Sequence, residues 1–267
     1  MQFRGAPMPL DRVKAEKAAA KDFGTEGNAS EQTGTSVFDP VLCEMAYRWF
    51  CPPKGQVLDP FAGGSVRGIV AGVLGYRYYG IDLSERQIAA NKLQRTEIVP
   101  KAKIEWIYGN SLNCLDKAPA ADFVFSCPPY GDLEVYSDDP ADLSTMNYAD
   151  FMECYKKIIS LCYGKLRDNR FACFVVGEYR DKKSGNYHSF VPDTINAFKA
   201  CGFEYYNEAI LVTAVGSLPV RVGKQFTSGR KIGKTHQNVL IFVKGDGIKA
   251  TKECGDIEVF IPENQAG

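Results

Sequence analysis

Metal-binding spacing is missing from this chain of 267 residues. It has no Cys-x-x-Cys pair, and His188 and His236 are its only histidines, so no metal site is expected. Its nine cysteines, at 43, 51, 114, 127, 154, 162, 173, 201 and 254, follow no disulfide framework. Most lie in apolar runs, as buried thiols do, which points to a reducing, cytoplasmic setting. No apolar run reaches the roughly 18 residues that a membrane span needs, and the first residues do not read as a secretory leader. Neither Gly-x-Gly-x-x-Gly nor Gly-x-x-x-x-Gly-Lys-Ser/Thr occurs, which argues against a phosphate-cradling P-loop. There is no internal repeat. Net charge is zero, so attraction to a polyanion cannot come from the chain as a whole and needs a local patch.

What is present is a succession of short apolar runs bounded by turns. Strands are expected at about 56–60, 77–82, 103–108, 121–127, 171–177, 204–212 and 238–244, with helical segments between most of them. Asp39-Pro40 should start a helix over 38–50, because proline is tolerated in a first turn. A helix from about Val66 to Leu74 and an amphipathic one over 149–166 are also expected, the latter with Phe151, Tyr155, Ile158, Ile159, Cys162 and Leu166 on one face. Alternating strands and helices imply an α/β fold with a Rossmann-like, mainly parallel, seven-stranded sheet. The last two strands have no helical pattern between them and should pair as a terminal antiparallel hairpin. At this length one α/β domain is ordinary, and 45% hydrophobic with 24% charged residues is a globular composition.

Two strand ends carry chemistry. Residues 56–64, Gln-Val-Leu-Asp-Pro-Phe-Ala-Gly-Gly, read as a strand ending in Asp59 and a tight Gly63-Gly64 loop into the next helix. The following strand ends in Asp82. A glycine loop after one strand and an acid at the end of the next is the logic of ribose-hydroxyl recognition. Further on, the run Phe123–Phe125 breaks at Cys127-Pro128-Pro129-Tyr130. Two prolines cannot continue a sheet ladder, so the strand stops there. A rigid Pro-Pro step with an aromatic ring, outside the carboxyl end of a strand, makes a platform for a flat substrate.

Asp-Pro-Phe-Ala-Gly-Gly followed downstream by Cys-Pro-Pro-Tyr resembles the S-adenosylmethionine (AdoMet)-dependent amino-methyltransferases of DNA, over about residues 36–245. The resemblance implies AdoMet as cofactor, with Phe38, Asp59, Phe61, Ala62, Gly63, Gly64, Asp82 and Asn110 around it. The glycine loop would approach the methionine end, Asp82 would accept from the ribose hydroxyls and Asn110 would face the adenine edge. Phe38 has an equally good reading as core packing. The catalytic motif would be Cys127, Pro128, Pro129 and Tyr130. That family holds the exocyclic amine of adenine or cytosine by its two N–H groups and stacks the flipped base on the aromatic residue. One position departs from the pattern: Cys127 stands where the family has Asp, Asn or Ser, and a thiol is a weak acceptor. Ser126 or the backbone carbonyls of Cys127 and Pro128 would then carry more of the load. Two rivals stay open. Cys127 could be a covalent nucleophile in carbon-5 methylation of a pyrimidine, with Glu178 as its acid, or the chain could be a non-catalytic module that binds AdoMet and nucleic acid.

The expected organisation is a mobile arm over 1–34, a methyltransferase domain over 35–250 and a tail over 251–267. Inside the domain, 213–236 reads as a basic loop. Its Arg221, Lys224, Arg230, Lys231 and Lys234 could neutralise phosphates of DNA, with RNA as the alternative partner. An acidic stretch, 132–142, follows Tyr130 and has no assigned role. Apart from 179–190 and 213–236 there is no room for a separate recognition domain, so specificity could be short or delegated to a partner protein.

Overall fold

A computed structural model of the chain describes residues 38–131, 142–213 and 218–257. The arm over 1–34 lies outside the described residues, and so does the acidic stretch except for Asp142.

Seven strands form one sheet: β1 (Gln56–Asp59), β2 (Arg77–Asp82), β3 (Ile104–Tyr108), β4 (Ala121–Ser126), β5 (Leu166–Val176), β6 (Glu204–Val212) and β7 (His236–Lys244). Their order is β3-β2-β1-β4-β5-β7-β6. The first five in that order run parallel, and β7 is antiparallel to both of its neighbours. This is the expected sheet, with β7 inserted between β5 and the edge strand β6.

Strands β1 and β4 are buried along their whole length because both faces of the sheet are covered, which explains their near-continuous apolar runs. Alternate residues serve opposite cores. Val57, Phe123, Phe125, Cys173, Val175 and Ile241 pack on one side. Leu58, Val124, Ala172, Phe174, Val176 and Leu240 pack on the other. Helices α1 (Pro40–Phe50) and α2 (Val66–Val73) cover the first side, through Tyr47 and Ile69 among others. Helix α3 (Glu85–Ile98) adds Ile88 to that side. On the second side lie the short α4 (Ser111–Cys114), α5 (Tyr148–Lys165) and α6 (Phe190–Ala200), with Phe151, Tyr155 and Phe198 fully buried. Helix α1 starts as its sequence predicts: Asp39 Oδ1 accepts from the Val41 and Leu42 N–H groups, at 2.7 and 3.1 Å, with Pro40 in the first turn.

Three boundaries differ from expectation. Strand β5 begins at Leu166, directly off the end of α5, and a register irregularity against β4 between Ala121 and Phe123 absorbs the extra residues. The basic segment is not all loop, since residues Leu218–Gly229 form helix α7. The expected tail starts inside helix α8 (Gly247–Cys254), whose Ala250 and Cys254 pack into the first core.

The chain runs outward from β1 to β2 and β3, then returns to β4 on the other side of β1. The switch point therefore falls between β1 and β4, and ligand crevices in open α/β sheets form outside the carboxyl ends of strands at such a point. The Asp59–Gly64 loop flanks one side of it and Cys127–Tyr130 the other.

Candidate active site

The carboxyl end of β1 is organised by a buried charge. Asp59 is wholly inaccessible. Its Oδ2 accepts from Arg67 Nε (2.6 Å) and from the Tyr78 hydroxyl (2.6 Å). Its Oδ1 accepts from the Ser126 hydroxyl (2.5 Å) and the Phe61 N–H (3.1 Å). Four donors use up the carboxylate inside the protein, which corrects the expectation that Asp59 faces the cofactor. Its part is positioning: it joins the loop after β1, the neighbouring β2 and the last residue of β4. Arg67 also donates through Nη2 to the carbonyls of Phe61 and Ala62, at 2.6 and 3.0 Å. Burial opposes the Arg67 charge, but Asp59, Tyr78 and Cys127 together outweigh it and the guanidinium pKa is raised. Burial, with Asp59 behind it, pushes the Tyr78 phenol well up, so Tyr78 stays a donor.

The loop itself is held from several sides. Ser111 Oγ donates to the Pro60 carbonyl at 2.5 Å, and the Ala62 N–H to the Ile81 carbonyl at 2.9 Å. Asn91 Nδ2 donates to the Gly63 carbonyl at 2.8 Å, and Ser65 Oγ donates to Gln94 Oε1. Gly63 has φ +51°, a conformation that favours glycine. A Cβ at Gly64 would meet nothing within 4 Å, so the loop opens onto free space there.

Asp82 sits half-buried at the end of β2. Its Oδ2 accepts from the Gly63 N–H (2.8 Å) and its Oδ1 from the Ser84 N–H (2.8 Å), tying the two loops together. Each oxygen keeps a second lone pair for a hydroxyl donor. Burial pushes the Asp82 carboxyl above its ordinary range, and the Ser84 and Gly63 N–H groups offset only part of this. Asn110 caps α4 through its Oδ1, which accepts from the Leu112 N–H at 2.9 Å. Its amide NH2 is therefore the end with which it can meet an adenine ring nitrogen. Phe61 packs half-buried near Tyr155, with 6.1 Å between ring centroids, and Ala62 is buried. Phe38 lies edge-on to Phe125 at 5.7 Å, under the Arg67 guanidinium at 4.6 Å. That is the core-packing reading of Phe38. The open glycine loop, the acid at the end of β2 and the half-buried Asn110 suit the methionine, ribose and adenine parts of AdoMet in turn.

Across the switch point, Pro128 is buried while Cys127, Pro129 and Tyr130 are half-exposed. The Tyr130 hydroxyl accepts from Gln237 Nε2 at 2.5 Å and lies 3.9 Å from Cys127 Sγ. Either the phenol or the thiol can donate in that last contact. The Tyr130 ring packs against Phe190 and Tyr179, at centroid distances of 6.0 and 6.3 Å. Gly131, at φ +47°, lies so close to Tyr179 that a Cβ there would strike the phenol. Sequence reasoning missed Gln237: it is 107 residues from its partner, and no local pattern marks it.

Glu178 is occupied elsewhere. Its two carboxylate oxygens each accept a hydrogen bond at 3.0 Å, from the Phe190 and Val191 N–H groups, and so cap α6. It does this because Ser189, with φ +67°, makes no side-chain cap of its own. Of the basic residues, Arg221 is in α7, while Lys224 in α7 and Arg230 just after it are exposed. Arg230 lies over the Phe226 ring at 5.1 Å. Lys231 and Lys234 are half-buried in the segment leading to β7. Among the described residues, no helix is long and apolar enough to cross a membrane.

The family model of RNA cap guanine-N2 methyltransferases matches residues 54–166, from just before β1 to the start of β5. No curated protein sequence matches the chain. Among solved structures, TrmN from Thermus thermophilus superposes with a TM-score of 0.54 at 14% identity over 79% of this chain. The chain spans about half of TrmN, 51% of its length. A candidate RNA methyltransferase from Pyrococcus horikoshii gives 0.52 at 13% identity, over 87% of this chain and 100% of that one. Precorrin-6y C5,15-methyltransferase from Geobacter metallireducens gives 0.51 at 11% identity, over 81% and 93%. At these identities the likeness is one of fold. The chain thus has the Rossmann-like fold of these methyltransferases, and the matched segment holds the glycine loop, Asp82, Asn110 and the Cys127–Tyr130 step.

Proposed function

We propose that the protein is an AdoMet-dependent methyltransferase that acts on an exocyclic amino group of a DNA base, N6 of adenine or N4 of cytosine. The observation that carries this reading is the anchored Cys127-Pro128-Pro129-Tyr130 step, which presents a half-exposed aromatic ring at the switch point beside the cofactor loop. An exocyclic amine is conjugated with its ring and is a poor nucleophile. Acceptors that hold its two N–H groups localise the lone pair and aim it. The carbonyls of Cys127 and Pro128 are the strong acceptors of the motif, and the thiol adds a weak one. Bound AdoMet supplies an electrophilic methyl on its sulfonium. The acceptors of the motif would aim the amine lone pair at that methyl, and the proton shed by the methylated nitrogen would pass to water, since a backbone carbonyl is not a base. Tyr130 stacks on the base outside the duplex, worth about 1–3 kcal/mol. The basic residues on and after α7 contact phosphates.

RNA is the second reading, favoured by the family-model match, whose reaction also targets an exocyclic amine. Carbon-5 methylation is disfavoured because Glu178, the acid it would need, is bound to the start of α6. Oligonucleotides carrying 5-fluorocytosine test this. The account predicts no covalent adduct and normal transfer of labelled methyl to ordinary DNA. A denaturation-resistant adduct through Cys127 would establish the carbon-5 mechanism instead.

A further inference from the structure

Just beyond the carboxyl end of β5, residues 180–187 form a small surface hairpin that the cofactor and catalytic motifs do not use. Arg180 and Tyr187 pair as an isolated antiparallel bridge. The Asp181 N–H donates to the Asn186 carbonyl and the Gly185 N–H to the Asp181 carbonyl, both at 2.9 Å. Asp181 Oδ1 accepts from the Ser184 N–H at 2.5 Å, which turns the one acid of the hairpin inward on its own backbone. Arg180 Nη1 donates to the Gly185 carbonyl at 3.0 Å while the guanidinium lies 3.8 Å over the Tyr187 ring. The hairpin is thus set by local bonds before any ligand arrives, and it presents Lys182 and Lys183 exposed at its tip.

Two further contacts give it a place in the site. Lys231, from the segment after α7, packs against Gly185 so closely that a Cβ at Gly185 would meet its ammonium. The basic segment of the sequence and the hairpin therefore share one surface. The hairpin also springs from Tyr179 and returns at His188, which lie 4.8 Å apart by ring centroids, and Tyr179 packs against Tyr130. Its root is therefore the same aromatic cluster that supports the catalytic ring.

We infer that the 180–187 hairpin is a second nucleic-acid contact element, in which Lys182 and Lys183, continuous with Lys231, take backbone phosphates next to the target nucleotide. The inference rests on the nucleic-acid reading above. Cationic side chains on a preset turn neutralise phosphates without the cost of ordering the backbone, and the link through Tyr179 ties them to the base platform.

The test uses the full chain and a fluorescent duplex, with binding measured by anisotropy across a salt series. Each phosphate contact contributes about 0.9 to the log–log salt slope, so Lys182→Ser/Lys183→Ser should flatten the slope by about 1.5–2. AdoMet affinity and thermal stability should not change, and the loss of turnover should appear in KM for nucleic acid rather than in kcat. Lys182→Arg/Lys183→Arg, which keeps the charge, should restore the slope. An unchanged slope in the serine variant, beside a steep wild-type slope that Arg230→Ser/Lys231→Ser does reduce, would reject the hairpin and leave the nucleic-acid reading standing. Loss of slope that the arginine variant fails to restore would also reject the phosphate role. A wild-type protein that binds neither DNA nor RNA at low salt would overturn the nucleic-acid reading itself, and the hairpin inference with it.

Discussion

Replacing Asp59 with Asn should destabilise the protein severely, although the two side chains are nearly the same shape. The carboxylate is fully buried and accepts from Arg67, Tyr78, Ser126 and the Phe61 backbone. An amide removes the negative charge, so the buried Arg67 cation loses its counter-ion. It also turns one acceptor into an NH2 group facing donors. Breaking a buried ion pair from one side costs about 3–5 kcal/mol, to be set against a total stability of about 5–15 kcal/mol. A folded but weakened protein is expected, with Tm lower by roughly 6–20 °C at the 2–4 °C per kcal/mol of a domain this size. The assay is thermal unfolding of Asp59→Asn, Arg67→Met and the double variant. If the pair is the source of the loss, the double variant should recover at least about 1 kcal/mol relative to the sum of the single variants. Losses that simply add, or an Asp59→Asn variant within about 0.5 kcal/mol of wild type, would refute the claim that this carboxylate ties the site together by neutralising Arg67.

Asp82→Ala should weaken AdoMet binding by about 1.5–3 kcal/mol, roughly 10- to 150-fold by calorimetry, and unchanged affinity would remove Asp82 from the site. The same carboxyl, raised by burial, sets a pH dependence. The ionised form accepts from the ribose hydroxyls and is favoured by binding, so affinity should fall as pH drops through the raised pKa, with proton release on binding at its acid side; a flat profile there would contradict this. Its ionisation costs folding stability, so its contribution is greatest below the unfolded carboxylate pKa and is lost as pH rises through the raised folded value. Cys127→Ser should keep measurable methyl transfer, because a hydroxyl accepts the same hydrogen bond, whereas a covalent nucleophile would not tolerate the exchange; a folded, AdoMet-binding but dead variant would count for the carbon-5 mechanism. Gln237→Ala should lose the bond that sets Tyr130, costing about 0.5–1.5 kcal/mol, or up to about 10-fold in kcat/KM for nucleic acid, while AdoMet affinity stays as it was.

The sheet was legible because β1, β4 and residues 171–176 of β5 are buried on both faces, and such strands appear as short apolar runs ended by turn residues. The two chemical motifs were legible for the same reason, since each sits where such a run stops. Helix α7 was not: Gly223, Ser228 and Gly229 weaken its helical pattern, and its basic residues read as a loop. Asp59 was misread because an acid at a strand end usually looks outward. The cation that turns it inward stands one helix away, and its other partners, Tyr78 and Ser126, are distant in sequence. Glu178 could serve as the acid of the carbon-5 rival on sequence alone, and the left-handed Ser189, which leaves α6 without a side-chain cap of its own, explains why it caps that helix instead. Contacts made only by folding, such as Gln237 to Tyr130 and Lys231 to Gly185, leave no mark in local sequence.

The central claim is that the methyl group ends on an exocyclic nitrogen of a DNA base. The direct measurement is to incubate the enzyme with methyl-deuterated AdoMet and, separately, DNA and RNA, then digest each to nucleosides and locate the label by tandem mass spectrometry. The account predicts labelled N6-methyladenosine or N4-methylcytidine in its deoxy form, from DNA. Label on carbon 5 of a pyrimidine, or label in RNA alone, would contradict it.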